Sequence, residues 1–301
     1  MKVLSRTAIC GRRTVRRTTF FLIVAWCLTS LAASPATADP VATTLGPDAG
    51  VGPAEPDADC SRAADLAEAG ARYAASRDVT QSVAVVDRRS GTLIAAIGAD
   101  RGYNTESLLK TFTATYYLTT EADASVSPLA LRELISRSDD AVQTDLWTAS
   151  IVPTIAGRYG LTNTTTSSYP TSRNWGSDRT TAADQAHFLA AVLDEPAVGP
   201  SLSTWMRAVT PVAADGFDQH FGLAAQSGDR GAKQGWSDPG WEPANLHSVG
   251  WVGHSAIAIL QTSWTADYAT MRSTSTMTAS LLAADARCDS PLRQTSQLRA
   301  V

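Results

Sequence analysis

The stretch Ser107-Leu108-Leu109-Lys110 decides how this chain is read, because a serine and a lysine three positions apart on a helix share one face. From there the lysine amine can accept the serine hydroxyl proton, freeing the oxygen to attack a carbonyl carbon. Lysine suits that task and arginine does not. A guanidinium stays protonated at any workable pH, whereas an ammonium yields its proton when it is buried or set beside another cation. The chain holds three lysines, Lys2, Lys110 and Lys233, and uses arginine for its other positive charges. Placing Ser107 in the first turn of a helix also aims exposed backbone N–H groups at the reacting position.

Two further segments follow in chain order. Ser138-Asp139-Asp140 opens a predicted helix, and Lys233-Gln234-Gly235 lies on a predicted strand. Taken singly, each serine could be an ordinary helix cap and each lysine a surface charge. The reading rests on all four residues occurring in order on suitable elements.

With Ser107, Lys110, Ser138 and Lys233 in that order, the chain resembles the class A β-lactamase and penicillin-binding protein superfamily, as a divergent exported member, over residues 60–288. The resemblance implies an α+β fold: an antiparallel sheet flanked by N- and C-terminal helices, plus a trimmed all-helical lobe. It implies that Ser107 is acylated, that Lys110 is its general base and that Ser138 relays a proton to the leaving nitrogen. Lys233 would steady that relay and a substrate carboxylate. Asp140, Gln234, Gly235 and Trp236 would contact substrate, and the N–H groups of Ser107 and Trp236 would form an oxyanion hole. The implied substrate is a small molecule or peptide, a β-lactam or a D-alanyl peptide of the cell wall.

Three features depart from the family pattern. Asp140 stands where the family has asparagine, so a carboxylate can face Lys110 and hold it protonated. Gln234 replaces a serine or threonine, exchanging a hydroxyl for a larger amide that still donates. The interval from Ser107 to Ser138 is short for a class A enzyme. Deacylation raises a further question, since such enzymes activate water with a loop glutamate. Here the segment 161–175 offers threonines and serines but no carboxylate, and the one glutamate between Ser138 and Lys233 is Glu195. Asp178 is a substitute candidate, although its neighbour Arg179 favours a structural ion pair. Fast β-lactam hydrolysis is therefore not expected.

Residues 1–38 carry Lys2, five arginines and no acid, then an apolar run at 20–31, then Ala36-Thr37-Ala38. This reads as a secretory signal with a small-residue cleavage site, and its apolar run is short for a membrane span. Arg12-Arg13 and Arg16-Arg17 leave the general and twin-arginine routes both open. Signal removal leaves 19 Lys and Arg against 29 Asp and Glu, a net charge of −10, which makes nucleic acid and anionic lipid poor partners. A secreted or cell-envelope monomer is expected. Residues 39–59 are rich in Pro, Ala, Gly and Asp and poor in large apolar groups, so they read as a flexible linker. The folded part is one β-lactamase-like domain over 60–288, followed by a polar tail at 289–301. Cys60 and Cys288 bracket that domain and should pair in an oxidising compartment, worth about 4–5 kcal/mol on a chain-entropy estimate.

Helical spacing recurs over 60–76, 107–119, 129–137, 141–148, 152–159, 182–193 and 267–286. Residues 82–87 and 92–97 form a predicted hairpin, and 231–236, 247–252 and 256–262 read as three adjacent strands. Strands at both chain ends imply one sheet completed by the C-terminal half, with the first and last helices side by side. The four histidines lack metal-ligand spacing, and no cofactor is expected. His247, beside Lys233, is a candidate cation for a substrate carboxylate or a plain hydrogen-bonding residue. Trp175, Trp236, Trp241 and Trp251 either line the cleft or pack in the core. Two rivals to the enzyme remain open: a catalytically weak relative that binds wall peptide or a protein, and a secreted structural domain whose motif matches are accidental.

Overall fold

The computed structural model describes residues 62–120, 126–168 and 170–286. The expected signal segment, linker and tail, with Cys60 and Cys288, lie outside the described residues. Five strands, β1 (Thr80–Asp87), β2 (Thr92–Ile97), β5 (Arg230–Ser237), β6 (Ala244–Val252) and β7 (Ser255–Ser263), form one antiparallel sheet in the order β2-β1-β7-β6-β5. Two short strands, β3 (Tyr103–Asn104) and β4 (Arg179–Thr180), pair separately. The α+β fold expected from the sequence is the fold found.

Side chains alternate across the pleat, so each strand feeds two layers. Val83 and Val85 of β1 pack with Ile257 and Ile259 of β7 under α1 (Ala63–Ala75) and α8 (Tyr268–Ala286). Ala84, Val86, Ala256 and Ala258 face the opposite layer, where α6 (Ala182–Val192) presents Ala182, Ala183, Ala186 and Ala190. Small residues on both sides let α6 lie close to the sheet. Because both faces are covered, β6 is buried along its whole length.

The first and last helices pack side by side as expected, and they run antiparallel. Ala74 meets Met271 at one end, while Ala63 and Ala67 meet Leu282 and Ala283 at the other. Gly70 permits this approach, since a Cβ there would stand 2.4 Å from Thr278 Oγ1.

The helical lobe comprises α2 (Leu109–Thr119), α3 (Pro128–Ser136), α4 (Asp140–Leu146) and α5 (Ile151–Tyr159). Phe112 of α2 packs edge-on against Phe188 of α6 at 4.7 Å, fixing the lobe to the sheet layer. The side chains of Ser127, Asp139 and Thr181 accept N–H bonds at the starts of α3, α4 and α6. One helix, α7 (Gly199–Arg207), was not expected from the sequence. It buries Leu202, Trp205 and Met206 at helical spacing and begins with Pro200, a start signal diluted by Gly199, Ser201 and Ser203. β3 and β4 are two residues each, too short for a period to register.

Candidate active site

Ser107 lies in a 3-10 turn, Glu106–Leu108, that runs directly into α2, so Lys110 falls one turn later on the same face. Lys110 Nζ is 2.8 Å from Ser107 Oγ. The same nitrogen reaches Ser138 O at 2.9 Å and Ser138 Oγ at 3.2 Å, and contacts Asp140 Oδ1 directly. Ser138 holds a positive φ of 55°, an uncommon conformation for serine, which leaves Asp139 free to cap α4 while Ser138 stays beside Lys110. From the sheet side, Lys233 Nζ is 2.8 Å from Ser138 Oγ and donates to Gln234 O at 2.7 Å. Residues from α2, the α3–α4 junction and β5 thus meet at one place, as the order of the four motif residues implies.

Both lysines are fully buried. Burial pulls the Lys110 ammonium below its ordinary pKa, and the carboxylate of Asp140 pulls it part of the way back. Lys233 is pushed down further by burial and by the positive charge of Lys110 beside it. Asp140 itself is half exposed and lines the cleft, so the ion pair joins a fully buried amine to a carboxylate at the cleft surface. The indole of Trp175 covers Lys110 from the side of the 161–175 segment, its centroid 4.7 Å from Nζ.

Gly235 lies against the Ser107 backbone, since a Cβ there would stand 3.2 Å from Ser107 N. Trp236, next on β5, stacks its ring on Phe217 at 4.4 Å and donates its indole N–H to Asp215 at 3.3 Å. Gln234 points into the protein body: it is fully buried and donates to Phe221 O at 2.6 Å and Gln219 O at 3.3 Å. A cleft of about 600 Å³ opens beside Ser107, bounded by Asp140 and Thr144, the Arg173–Ser177 segment, and the loop from Trp236 to Asn245. Trp175, Trp236 and Trp241 line it, whereas Trp251 is core.

Among the secondary candidates, Asp178 departs from the sequence reading. Asp178 makes no ion pair with Arg179: it is buried and accepts from Ser167 N at 2.7 Å, and burial raises its pKa to about 6. Arg179 turns instead to Asn104 Oδ1 at 2.7 Å, Gly102 O at 2.9 Å and Glu242 at 3.6 Å. Glu195 is held by Arg158 and the Tyr159 hydroxyl at the α6–α7 connection, outside the cleft. His247 is a plain hydrogen-bonding residue. It is fully buried, its Nε2 is 3.0 Å from Asn104 O, its Nδ1 accepts from Gln261 N at 3.2 Å, and burial lowers its pKa to about 4. It is neutral at physiological pH and cannot serve as a cation there.

Sequence reasoning missed Glu106. It precedes Ser107 with φ 47°, is almost fully buried, and accepts from Ser237 Oγ at 2.8 Å and Asn245 Nδ2 at 3.2 Å. Burial raises its pKa to about 7 against the hydrogen bonds of Ser237, Asn104 and Asn245. A glutamate just before Ser107 carries no periodic or spacing signal, and only the fold brings Ser237 and Asn245 to it.

No protein-family model and no curated protein sequence matches the chain. Solved structures do. A β-lactamase from Chitinophaga pinensis superposes with a TM-score of 0.60 at 13% identity, over 74% of this chain and 99% of that one. A class A β-lactamase representative from Bacteroides cellulosilyticus gives 0.56 at 13% identity, over 74% and 99%. A β-lactamase from Streptosporangium roseum gives 0.58 at 17% identity, over 73% and 97%. Sequence divergence of this depth leaves the architecture as what is shared: this chain has the β-lactamase/transpeptidase-like fold.

Proposed function

We propose that the chain is an exported active-site serine hydrolase or acyltransferase that forms an acyl-enzyme through Ser107 on a β-lactam or D-alanyl peptide carbonyl, and that it is a poor β-lactamase. The observation that carries this reading is the unbroken run from Ser107 Oγ through Lys110 Nζ and Ser138 Oγ to Lys233 Nζ, with separations of 2.8, 3.2 and 2.8 Å. In this scheme neutral Lys110 takes the Ser107 proton as Oγ bonds to the carbonyl carbon, and the N–H groups of Ser107 and Trp236 receive the oxyanion. The C–N bond then breaks as Ser138 gives its proton to the leaving nitrogen and recovers one from Lys110. Lys233 holds Ser138 in place from the sheet side.

Slow hydrolysis follows from what surrounds the acyl group. Among the described residues of the 161–175 segment none is a carboxylate, and the Trp175 indole covers Lys110 from that side. A second reading, a weak relative that binds wall peptide or a protein without turning it over, is favoured by one observation: the Lys110–Asp140 ion pair opposes deprotonation of the base. Labelling the mature protein with fluorescent penicillin, beside Ser107→Ala, separates the two. Label that depends on Ser107 supports the enzyme; no label together with measurable wall-peptide affinity supports the binder.

A further inference from the structure

Glu106 is a buried acid outside the Ser-Lys-Ser-Lys run, and three segments that bound the cleft converge on it. Its Oε1 takes the Ser237 hydroxyl at 2.8 Å and the Asn245 amide at 3.2 Å. Asn245 also donates to Ser237 at 3.2 Å, closing a three-membered network. On its other side Gly176 of the Trp175–Ser177 turn packs so tightly that a Cβ there would stand 3.1 Å from Oε2 and 3.3 Å from the Glu106 Cα. Gly235 lies against the same residue, since a Cβ on it would come 3.2 Å from both the Glu106 Cβ and Ser107 N. The positive φ of Glu106 is an unfavourable conformation for a non-glycine residue, of the kind held in place by surrounding contacts at functional sites.

We propose that Glu106 is a positioning residue of the acyl-transfer site: its carboxyl group ties the backbone before Ser107 to Ser237 and Asn245, and so sets the spacing between the Ser107 and Trp236 N–H groups. The inference rests on the proposed acyl transfer for its chemistry, and on the contacts alone for the tie. Ser107 follows Glu106 in the chain and Ser237 follows Trp236 on β5, so the Glu106–Ser237 hydrogen bond joins the two stretches of backbone that carry those N–H groups. Separations of a few tenths of an ångström matter here, because donors must lie about 2.7–3.1 Å from the oxyanion.

The protonation state of this tie has a consequence of definite sign. A neutral carboxyl keeps the acceptor for Ser237 and Asn245 without placing charge next to the developing oxyanion. An ionised one holds the strands at least as firmly but opposes that oxyanion across a buried, low-dielectric gap. The titratable neighbours around it are Glu242 on the β5–β6 loop, which disfavours ionisation and is itself paired with Arg179 at 3.6 Å, and the hydroxyl of Tyr268 on α8. Burial lifts the Glu106 pKa to about 7, so both forms are populated near neutrality. Acylation that depends on Glu106 being neutral falls as pH rises through that value, against the gain from deprotonating Lys110.

The test compares wild type, Glu106→Gln and Glu106→Ala by two readouts, with circular dichroism establishing that each is folded. Glu106→Gln keeps an acceptor and is neutral at every pH. For penicillin acylation of Ser107 followed by intact mass, Glu106→Gln should match wild type within twofold at pH 5.5 and exceed it about three- to tenfold at pH 8.5, while Glu106→Ala is slower at both. Superposed pH profiles for wild type and Glu106→Gln would overturn the proposal. Amide hydrogen exchange over residues 230–245 reads the tie without catalysis. Protection should drop at least tenfold in Glu106→Ala and persist in Glu106→Gln. Unchanged protection in Glu106→Ala overturns the proposal whether or not Ser107 is acylated, whereas the expected exchange pattern without acylation in any variant leaves the tie standing and removes the acyl-transfer reading.

Discussion

Lys110, fully buried, forms an ion pair with Asp140, whose side chain is half exposed. The amine best placed to deprotonate Ser107 is therefore held by a carboxylate that favours its protonated form. Replacing Asp140 by asparagine removes the charge and keeps a side chain of the same size. Asp140→Asn should acylate about three- to tenfold faster at pH 7 and move the rising limb of the acylation profile to lower pH, measured by mass spectrometry of the penicillin adduct. An unchanged profile would mean that Asp140 does not control the Lys110 proton.

Lys233 supports Ser138 from the sheet side at 2.8 Å with no exposure to solvent. Lys233→Ala should lower the acylation rate about 100-fold or more, the range of a lost proton-transfer partner. Lys233→Arg should not rescue it, because a planar guanidinium does not fit the enclosed space of a compact ammonium. Full activity in Lys233→Arg would place the relay elsewhere.

Glu106 and His247 act on stability in opposite directions. The folded-state pKa of Glu106, raised from 4.5 to about 7, means the native state binds the proton more tightly, so stability is lost as pH rises from about 4.5 through 7. His247, lowered from 6.5 to about 4, contributes stability that is present above 6.5 and lost as pH falls toward 4. Urea unfolding of Glu106→Gln against wild type should therefore show a gap that grows with pH across 4.5–7 in favour of the variant, up to roughly 3 kcal/mol, and then levels off. A pH-independent gap would show that Glu106 titrates normally.

The antiparallel packing of α1 on α8 sets Ala63 and Ala67 beside Leu282 and Ala283, at the helix ends that lead toward Cys60 and Cys288. We propose that these two cysteines pair in the exported protein. Thiol titration of the native, unreduced mature protein should find no free thiol, and reduction should lower stability by about 4–5 kcal/mol. Two titratable thiols would refute the pairing.

What was legible in the sequence follows from how far each signal reaches. The β1–β2 hairpin, the three late strands and the capped helices α4 and α6 depend on local periods and caps, and they appear where those patterns lie. Ser107 and Lys110 are neighbours on one helix turn, so their contact is written in the spacing. Their meeting with Ser138 and Lys233 came from the order of the four motif residues, because no local rule joins positions 28 or 95 residues apart. The direction of Gln234 and the buried network of Glu106 were not legible. Each is decided by which neighbours the sheet brings alongside, and neither leaves a mark on the residues nearby.

Lys110 serves as the base for Ser107 in the proposed reaction, and the rate of penicillin acylation in Lys110→Ala measures this most directly. With both proteins folded at pH 7, we expect an adduct that maps to the peptide carrying Ser107 and a rate at least 100-fold lower in Lys110→Ala than in wild type. Acylation of Lys110→Ala at the wild-type rate, or an adduct that survives in Ser107→Ala, would contradict it.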